Sequence, residues 1–200
     1  LDLPNITTMS GTAILLRGTA TFSAADLTAL TTSTVTVEDT ASSTLSNVTN
    51  LQNTSILVRE SGSLSFPGLI AWNSTNTTTS LSVQDSGTFT ADNLTSIANV
   101  VLQVRSGAVL DLPGVTSFSW STVTSPTFMD AANTNSQLNL PALTAIAFDT
   151  GTTSAYHARI TAASGSQIDL SALTAITRGT NHLFTITADG ASSARDLTSL

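Results

Sequence analysis

The chain has 200 residues, of which 40% are hydrophobic and 10% are charged, and it contains neither cysteine nor lysine. The hydrophobic content is enough to bury the core of one domain and argues against a disordered stalk, although about a third of the residues are Ser or Thr. The net charge of −7 disfavours nucleic acids and anionic membrane surfaces as partners, and the lack of cysteine excludes disulfides and thiolate chemistry. No apolar run reaches the roughly 18 residues of a membrane-spanning helix.

In chain order, the first recurring element is a nine-residue motif that we call the anchor. It reads apolar–x–apolar–x–x–apolar–Thr–x–apolar in its commonest form, as in LNLPALTAI from Leu138. Nine anchors start at Leu1, Phe22, Ser43, Leu64, Phe89, Leu110, Leu138, Ile168 and Ser192. Their starts lie 21, 21, 21, 25, 21, 28, 30 and 24 residues apart, and a period of about 20–50 residues is typical of solenoids, propellers and arrays.

A second motif lies between the anchors and begins with an apolar–x–apolar alternation, which predicts a strand with one buried face. It starts at Ile14, Val35, Ile56, Leu81, Leu102 and Phe184. The small residues that follow it indicate a tight corner. Each coil should then contain a second short strand at the start of the anchor and a bend that turns residues such as Leu143 and Ile146 inward. The extra residues of the long coils fall mainly between this bend and the next strand.

No pattern of period 3.6 is long enough for a helix of three turns. The sequence therefore predicts an all-β protein, a single-stranded, right-handed parallel β-helix (β-solenoid) with about nine coils of 21–30 residues, stacked about 4.8 Å apart. Residues 1–200 are expected to form one such domain. Because the chain begins and ends with pieces of the anchor, we expect it to be a segment of a longer repeat protein.

The residue after the inward apolar residue of each anchor forms an outward column, which we call the threonine column. Its members are Thr7, Thr28, Thr49, Ile70, Thr95, Thr116, Thr144, Thr174 and Thr198. Thr favours strands and stacks well on copies of itself, so one interpretation is purely structural. The other is an ordered array of hydroxyl and methyl groups that binds ice or a polysaccharide. The adjacent column is chemically mixed, for instance at Thr8, Ala29 and Asn50, and this disfavours ice binding.

A second outward column, which we call the charge column, carries charges of alternating sign. It consists of Arg17, Glu38, Arg59, Gln84 and Arg105, and Asp130 is expected to follow. Opposite charges on adjacent strands stabilise a sheet by about 0.2–1 kcal/mol per pair, and exposed pairs contribute little. The pattern therefore indicates a role in register and stability rather than in catalysis.

Groups with catalytic or metal-binding chemistry are few. His157 and His182 lie in or beside variable loops, with Asp149 nearby in sequence, but no H-x-H or H-E-x-x-H spacing accompanies them. A polysaccharide-cleaving β-helix would need carboxylates to converge, together with a basic group such as Arg178. Four polar residues share one outward column that Ser and Thr interrupt: Asp2, Asp111, Asn139 and Asp169. We predict no catalytic residue, no metal site and no cofactor.

The LDLPxLTxI unit and its SG-S corners resemble repeats of large bacterial extracellular exoproteins and adhesins that form right-handed β-solenoids. The LPxLTxI part also resembles the receptor-L-like, leucine-rich repeats of cell-surface proteins. The asparagine column of leucine-rich repeats is missing, which favours the closed solenoid. The resemblance implies a stalk, fibre or adhesive surface outside the cell.

These patterns predict a non-enzymatic structural or adhesive segment of an extracellular or cell-surface, fibre-like repeat protein. A carbohydrate-binding or carbohydrate-active β-helix is the alternative, and an ice-binding protein is a third hypothesis. The expected partners are a glycan or the surface of a host or neighbouring cell. End-to-end self-association is also expected, because open strand edges template pairing. No nucleic acid partner and no membrane span are expected.

Overall fold

Short parallel strands wound into a β-solenoid make up the computed structural model of this chain. The structure describes residues 1–75, 78–121, 127–148, 157–178 and 183–190, and the backbone of residues 194–196. These residues contain only strands, turns and bends, so the predicted all-β solenoid is confirmed. Four features named above lie wholly or mostly outside the described residues: Asp149, His182, Thr198 and the anchor that starts at Ser192.

The strands occupy three faces, which follow one another within each coil. The long face is one eight-stranded sheet of β2 (Ala13–Leu16), β4 (Thr34–Val37), β6 (Ser55–Val58), β9 (Ser80–Gln84), β12 (Val101–Arg105), β15 (Thr127–Ala132), β18 (His157–Ala163) and β21 (Leu183–Asp189). The anchor face holds β5 (Ser42–Thr44), β7 (Ser63–Ser65), β10 (Thr88–Thr90), β13 (Val109–Asp111), β16 (Gln137–Asn139), β19 (Gln167–Asp169) and β22 (Ala194–Asp196). The threonine face holds β1 (Thr8–Ser10), β3 (Ala29–Thr31), β8 (Ala71–Asn73), β11 (Ser96–Ala98), β14 (Ser117–Trp120), β17 (Ala145–Phe148) and β20 (Ala175–Thr177).

The pairing register follows the repeated motifs. On the anchor face, Leu138 pairs with Leu110 on one side and with Ile168 on the other. On the long face, Val35 pairs with both Ile14 and Ile56. Each apolar residue therefore stacks on its counterpart one coil away, because any slip by one residue would turn the buried side chains to solvent.

The threonine face was not predicted as a strand-forming part of the coil. The sequence indicated only a bend there, with apolar residues turned inward. In the structure these segments pair in parallel with their counterparts in the next coil, as β11 does with both β8 and β14. The inward direction is confirmed, since Leu143 and Ile146 are fully buried.

The number of coils is slightly smaller than predicted. Eight strands on the long face give seven steps from coil to coil, so the solenoid has about seven turns rather than nine. Nine anchors bound eight coils, and the long face, which begins after the first anchor, has eight strands and therefore seven steps. The extra residues of the long coils lie between the threonine face and the long face, as predicted. This connection has two residues between β11 and β12 but eight between β17 and β18.

One continuous core fills the space between the three faces. Its largest fully buried side chains are aromatic: Trp72, Trp120, Phe66, Phe118 and Phe128. Phe128 lies at the centre of an aromatic cluster, with its ring centroid 5.1 Å from that of Phe118 and 5.5 Å from that of Phe148. A single coil could not bury these rings, so the core depends on stacking.

The corner after each long strand has a repeated backbone geometry. Its first residue has a positive φ, with values of 59° at Asp39, 58° at Glu60 and 55° at Asp85. The third residue of the corner points inward and is small, because the coil below approaches closely. A Cβ atom added to Gly87 would lie 2.7 Å from the carbonyl oxygen of Val58, so this corner has no room for a larger residue.

The described part of the chain has no helix of the length and apolar character that a membrane span requires.

Candidate functional site

The threonine column lies on the surface as predicted. All of its described threonines are exposed: Thr7, Thr28, Thr49, Thr95, Thr116, Thr144 and Thr174. Most of them are tied to the coil below by two bonds. Thr116, for example, donates both its backbone N–H (2.9 Å) and its Oγ1 hydroxyl (3.3 Å) to the carbonyl oxygen of Thr95.

The hydroxyl groups of this column therefore serve the stacking of the coils. The same bond from Oγ1 to the carbonyl of the previous coil is made by Thr28 (3.1 Å), Thr95 (3.1 Å), Thr144 (3.1 Å) and Thr174 (3.2 Å). A hydroxyl that donates its proton to the backbone cannot donate it to a ligand at the same time. This geometry favours the structural interpretation of the threonine column.

The ladder of the threonine face is interrupted at one step, between the segment 49–53 and β8. Elsewhere, Thr49 donates its N–H to Thr28 (2.9 Å) and Thr95 donates to Ile70 (2.8 Å). Among the described residues, no hydrogen bond between two backbone groups joins Ile70 to Thr49 or any other pair of residues across this step. The same two coils remain paired on the other faces, through β4–β6 and β5–β7. We call this interruption the seam.

A polar groove of about 380 Å³ lies along the seam. It is lined by Thr49, Asn50, Gln52, Ala71 and Asn73, and all of these except Ala71 are exposed. One end of the seam is closed by Asn53, whose Oδ1 accepts hydrogen bonds from the Ser74 hydroxyl (2.8 Å) and the Thr75 N–H (2.8 Å). The sequence pattern gave no indication of this groove beyond the single Ile in the threonine column.

The charge column contains a buried carboxylate. Glu38 forms ion pairs with Arg17 in the coil below and with Arg59 in the coil above. Arg59 also donates a hydrogen bond from Nε to Glu38 Oε2 at 2.7 Å. Glu38 is only 4% exposed, whereas the Arg17 side chain is 63% exposed. The column is expected to face outward throughout, and Glu38 departs from this, because it is buried between Arg17 and Arg59 of the coils on either side.

The prediction that Asp130 follows Arg105 in the charge column is wrong. Its register partner in β12 is Gln103, whereas Arg105 pairs with Gln84 on its other side. The register between β15 and β18 shifts between Thr127 and Met129, which marks an irregularity that the repeat pattern did not reveal. Arg105 nevertheless reaches Asp130 diagonally. Its guanidinium forms an ion pair with the carboxylate and donates a second hydrogen bond to the Asp130 carbonyl oxygen (3.1 Å).

These contacts give acid sensitivity to the charge column. The hydrogen bond from Arg59, together with that from Arg17, lowers the pKa of Glu38 against the opposing effect of its burial. At the adjacent corner, the N–H of Gly18 donates to Asp39 Oδ2 (2.8 Å) and lowers the pKa of Asp39. A carboxylate whose folded pKa lies below its unfolded value stabilises the fold above the unfolded pKa, and this stabilisation disappears as the pH falls through the folded value.

We therefore expect the protein to lose stability in acid below about pH 4.5, and expect Glu38→Gln to lose less over the same range because the variant lacks one of the groups that titrate. At neutral pH the variant should be less stable than the parent, since two arginines lose their common partner. Urea unfolding at a series of pH values measures both effects. Asp92→Asn is the control, because it removes one exposed carboxylate outside this cluster. Parallel pH profiles for the parent and Glu38→Gln would contradict the assignment.

The remaining polar residues do not converge on one point. Asp111, Asn139 and Asp169 are register neighbours on the anchor face, and Asn139 donates an amide hydrogen bond to Asp111. Arg178 follows β20 on the threonine face, away from this column. His157 contacts the Thr185 hydroxyl through Nε2 at 2.6 Å. Within the described residues no three His, Asp or Glu side chains are grouped so that they could hold a metal ion.

No relative assigns a function to these surfaces. The resemblance to bacterial surface repeats rests on the repeated motif, and it stays a prediction. Comparison of the chain with models of protein families, with curated proteins and with solved structures finds no match.

Proposed function

We propose that this chain is a non-enzymatic structural and adhesive segment of an extracellular or cell-surface, fibre-like repeat protein. The observation that carries the proposal is the use of the repeated residues. Those that recur in every coil either fill the core or bond to the coil below, as Thr116 and Thr144 do. The repeated part of the sequence is thus committed to extending one stack, which suits a spacer that holds binding surfaces away from a cell.

Antibody labelling of the source organism tests this proposal. Antibodies raised against the folded chain should label intact cells as strongly as permeabilised ones, with a cytoplasmic protein as the negative control. Labelling that requires permeabilisation would contradict an extracellular location. Beads coated with the chain should also adhere to host or neighbouring cells better than beads coated with the heat-unfolded chain.

End-to-end self-association belongs to the same proposal, because open strand edges can pair with another solenoid. Sedimentation velocity over a range of concentrations measures it. A shift to larger and more elongated species at high concentration supports stacking, and an unchanged monomer at every concentration contradicts it.

A carbohydrate-active β-helix is the second candidate. The observation that favours it is the column of Asp111, Asn139 and Asp169, in which two carboxylates lie two coils apart on one face. The position of Arg178 counts against it, because this basic residue follows a strand of the threonine face and does not join the carboxylates. Release of reducing ends from any glycan by this chain would contradict the non-enzymatic proposal and support this candidate. Loss of that release in Asp169→Asn, with the fold intact, would then assign the activity to the column.

Ice binding receives less support from the geometry. The hydroxyl groups of Thr28, Thr95 and Thr174 donate to backbone carbonyls, and the neighbouring column includes Ala29 and Asn50. Measurable thermal hysteresis would reverse this conclusion.

A further inference from the structure

The seam differs from every other described step of the threonine face. Two sequence changes mark it: Ile70 takes the place of a threonine in the column, and the bulky Trp72 takes the place held by Ile97 in the next coil. Across the seam, the segment 49–53 and β8 are neighbours whose facing backbone groups are not hydrogen-bonded to each other. Polar backbone groups that lack protein partners are bound by water or by a ligand.

The side chains along the seam are suited to hydrogen bonding with a neutral molecule. The side-chain amides of Gln52 and Asn73 are exposed and make no hydrogen bond to any described residue. Asn50 accepts a hydrogen bond from the Gln52 N–H (2.9 Å) through Oδ1, while its NH₂ group has no partner within the described ranges. Each amide offers both donors and an acceptor, and no charged side chain lines the groove.

An exposed apolar residue, Ile70, directly precedes Ala71, which lines the groove. Ile70 is 61% exposed, which is unusual for so large an aliphatic side chain at a position where the other coils have threonine. The groove volume of about 380 Å³ lies at the small end of the range for ligand sites, about 300–1,000 Å³. A site of this size accepts a small molecule or the end of a chain rather than a folded partner.

We propose that the seam binds a neutral pyranose sugar, presented by a cell-surface glycan. Sugar hydroxyls act as donors and acceptors at once, and they match the three amides and the facing backbone groups. The apolar C–H face of a pyranose ring would pack on Ile70, which removes apolar surface of both from water. An anionic sugar would meet no cation in the groove, so neutrality is part of the proposal. This inference rests on the proposed adhesive function and names its ligand class.

Nuclear magnetic resonance titration of the ¹⁵N-labelled chain tests the site. The probes are neutral monosaccharides and tetrasaccharides of glucose, galactose, mannose and N-acetylglucosamine, each added separately to millimolar concentration. At least one probe should shift the backbone amide signals of residues 49–53 and 70–74, and sialic acid should not.

The double variant Gln52→Ala/Asn73→Ala should weaken this binding by about tenfold or more, because it removes two hydrogen-bonding groups. The matched control Gln167→Ala removes an exposed amide on the anchor face and should leave the affinity within about twofold. Unchanged signals outside the seam establish that each variant is folded. The proposal is overturned if no probe shifts the seam signals, or if the shifts persist in the double variant.

Failure of this experiment is separable from failure of the proposed function. If intact cells are labelled but no sugar binds at the seam, the extracellular location is supported and the sugar site is contradicted. If the seam binds sugar but intact cells are not labelled, the sugar site is supported and the proposed extracellular location is contradicted.

Discussion

Replacing Phe128 with alanine is expected to lower the free energy of unfolding by about 3–5 kcal/mol, the usual cost of deleting a large buried aromatic side chain. Phe128 is fully buried in β15, and its ring contacts four other aromatic rings, including those of Trp120 (6.3 Å) and Phe184 (6.1 Å). Because these rings come from several successive coils, the cavity left by the substitution would weaken more than one stacking step. Urea unfolding followed by circular dichroism measures the loss.

The control for this variant is Leu183→Ala, in the last described strand of the long face. Leu183 is 59% exposed, so its truncation should change the stability by no more than about 0.5 kcal/mol. A loss below about 1 kcal/mol for Phe128→Ala would mean that the aromatic cluster collapses to fill the space, and that it is packed less tightly than the ring distances indicate.

Replacing Gly87 with alanine is expected to destabilise the protein by about 1–3 kcal/mol through overpacking. A Cβ atom at this position would lie 2.7 Å from the Val58 carbonyl oxygen, 2.8 Å from the Val58 carbonyl carbon and 2.9 Å from the Arg59 nitrogen. All three are backbone atoms of the coil below, so relief of the clash requires the coils to move apart. The φ of Gly87 is not positive, and the effect is therefore steric.

The matched control lies one coil further along. Ala108 donates its N–H to Arg105 (3.1 Å) in the same corner bond that Gly87 makes to Gln84 (2.9 Å), so the two occupy equivalent positions. Ala108→Gly should cost only about 0.5–1 kcal/mol, mainly through backbone entropy. Amide hydrogen exchange would show where the loss appears, with the largest effect expected in the coils that contain β6 and β9. Equal losses of stability for both variants would show that the backbone of Val58 and Arg59 does not oppose a side chain at position 87.

The repeat made the stacking of the coils predictable from the sequence. Leu110, Leu138 and Ile168 occupy the same position of successive anchors, and a solenoid can bury them only by placing each above the last. The exposure of the threonine column follows from the same alternation. A single sequence was sufficient here because the chain contains several versions of one coil.

The short strands of the threonine face were missed for a physical reason. A segment of three residues, such as Ala71–Asn73, is too short to display an alternation of period two. It becomes a strand only through hydrogen bonds to the next coil, which lies 25 residues away. Pairing of this kind is tertiary information, and it is also the reason that the seam could not be predicted.

The errors in the charge column have a similar origin. Phe128 and Met129 are adjacent and both fully buried, which breaks the alternation at the place where β15 and β18 change register. If strict alternation is assumed, the strand motif extends to Asp130 and places this residue in register with Arg105. The burial of Glu38 likewise depends on two arginines from separate coils that fold over it, a geometry that position in the repeat does not specify.

The uniform spacing of paired residues has a consequence for how this chain folds. Partners in neighbouring strands are separated by 21 residues at Ile14 and Val35, and by no more than 32 residues at Thr127 and Arg159. Divided by the 200 residues of the chain, these separations correspond to a relative contact order of about 0.1–0.16, at or below the lower end of the range for all-β sandwiches and barrels. Closing each new coil costs nearly the same loop entropy as closing the one before it. Once two coils have formed a nucleus, growth should proceed one coil at a time in either direction, with a similar barrier at each step.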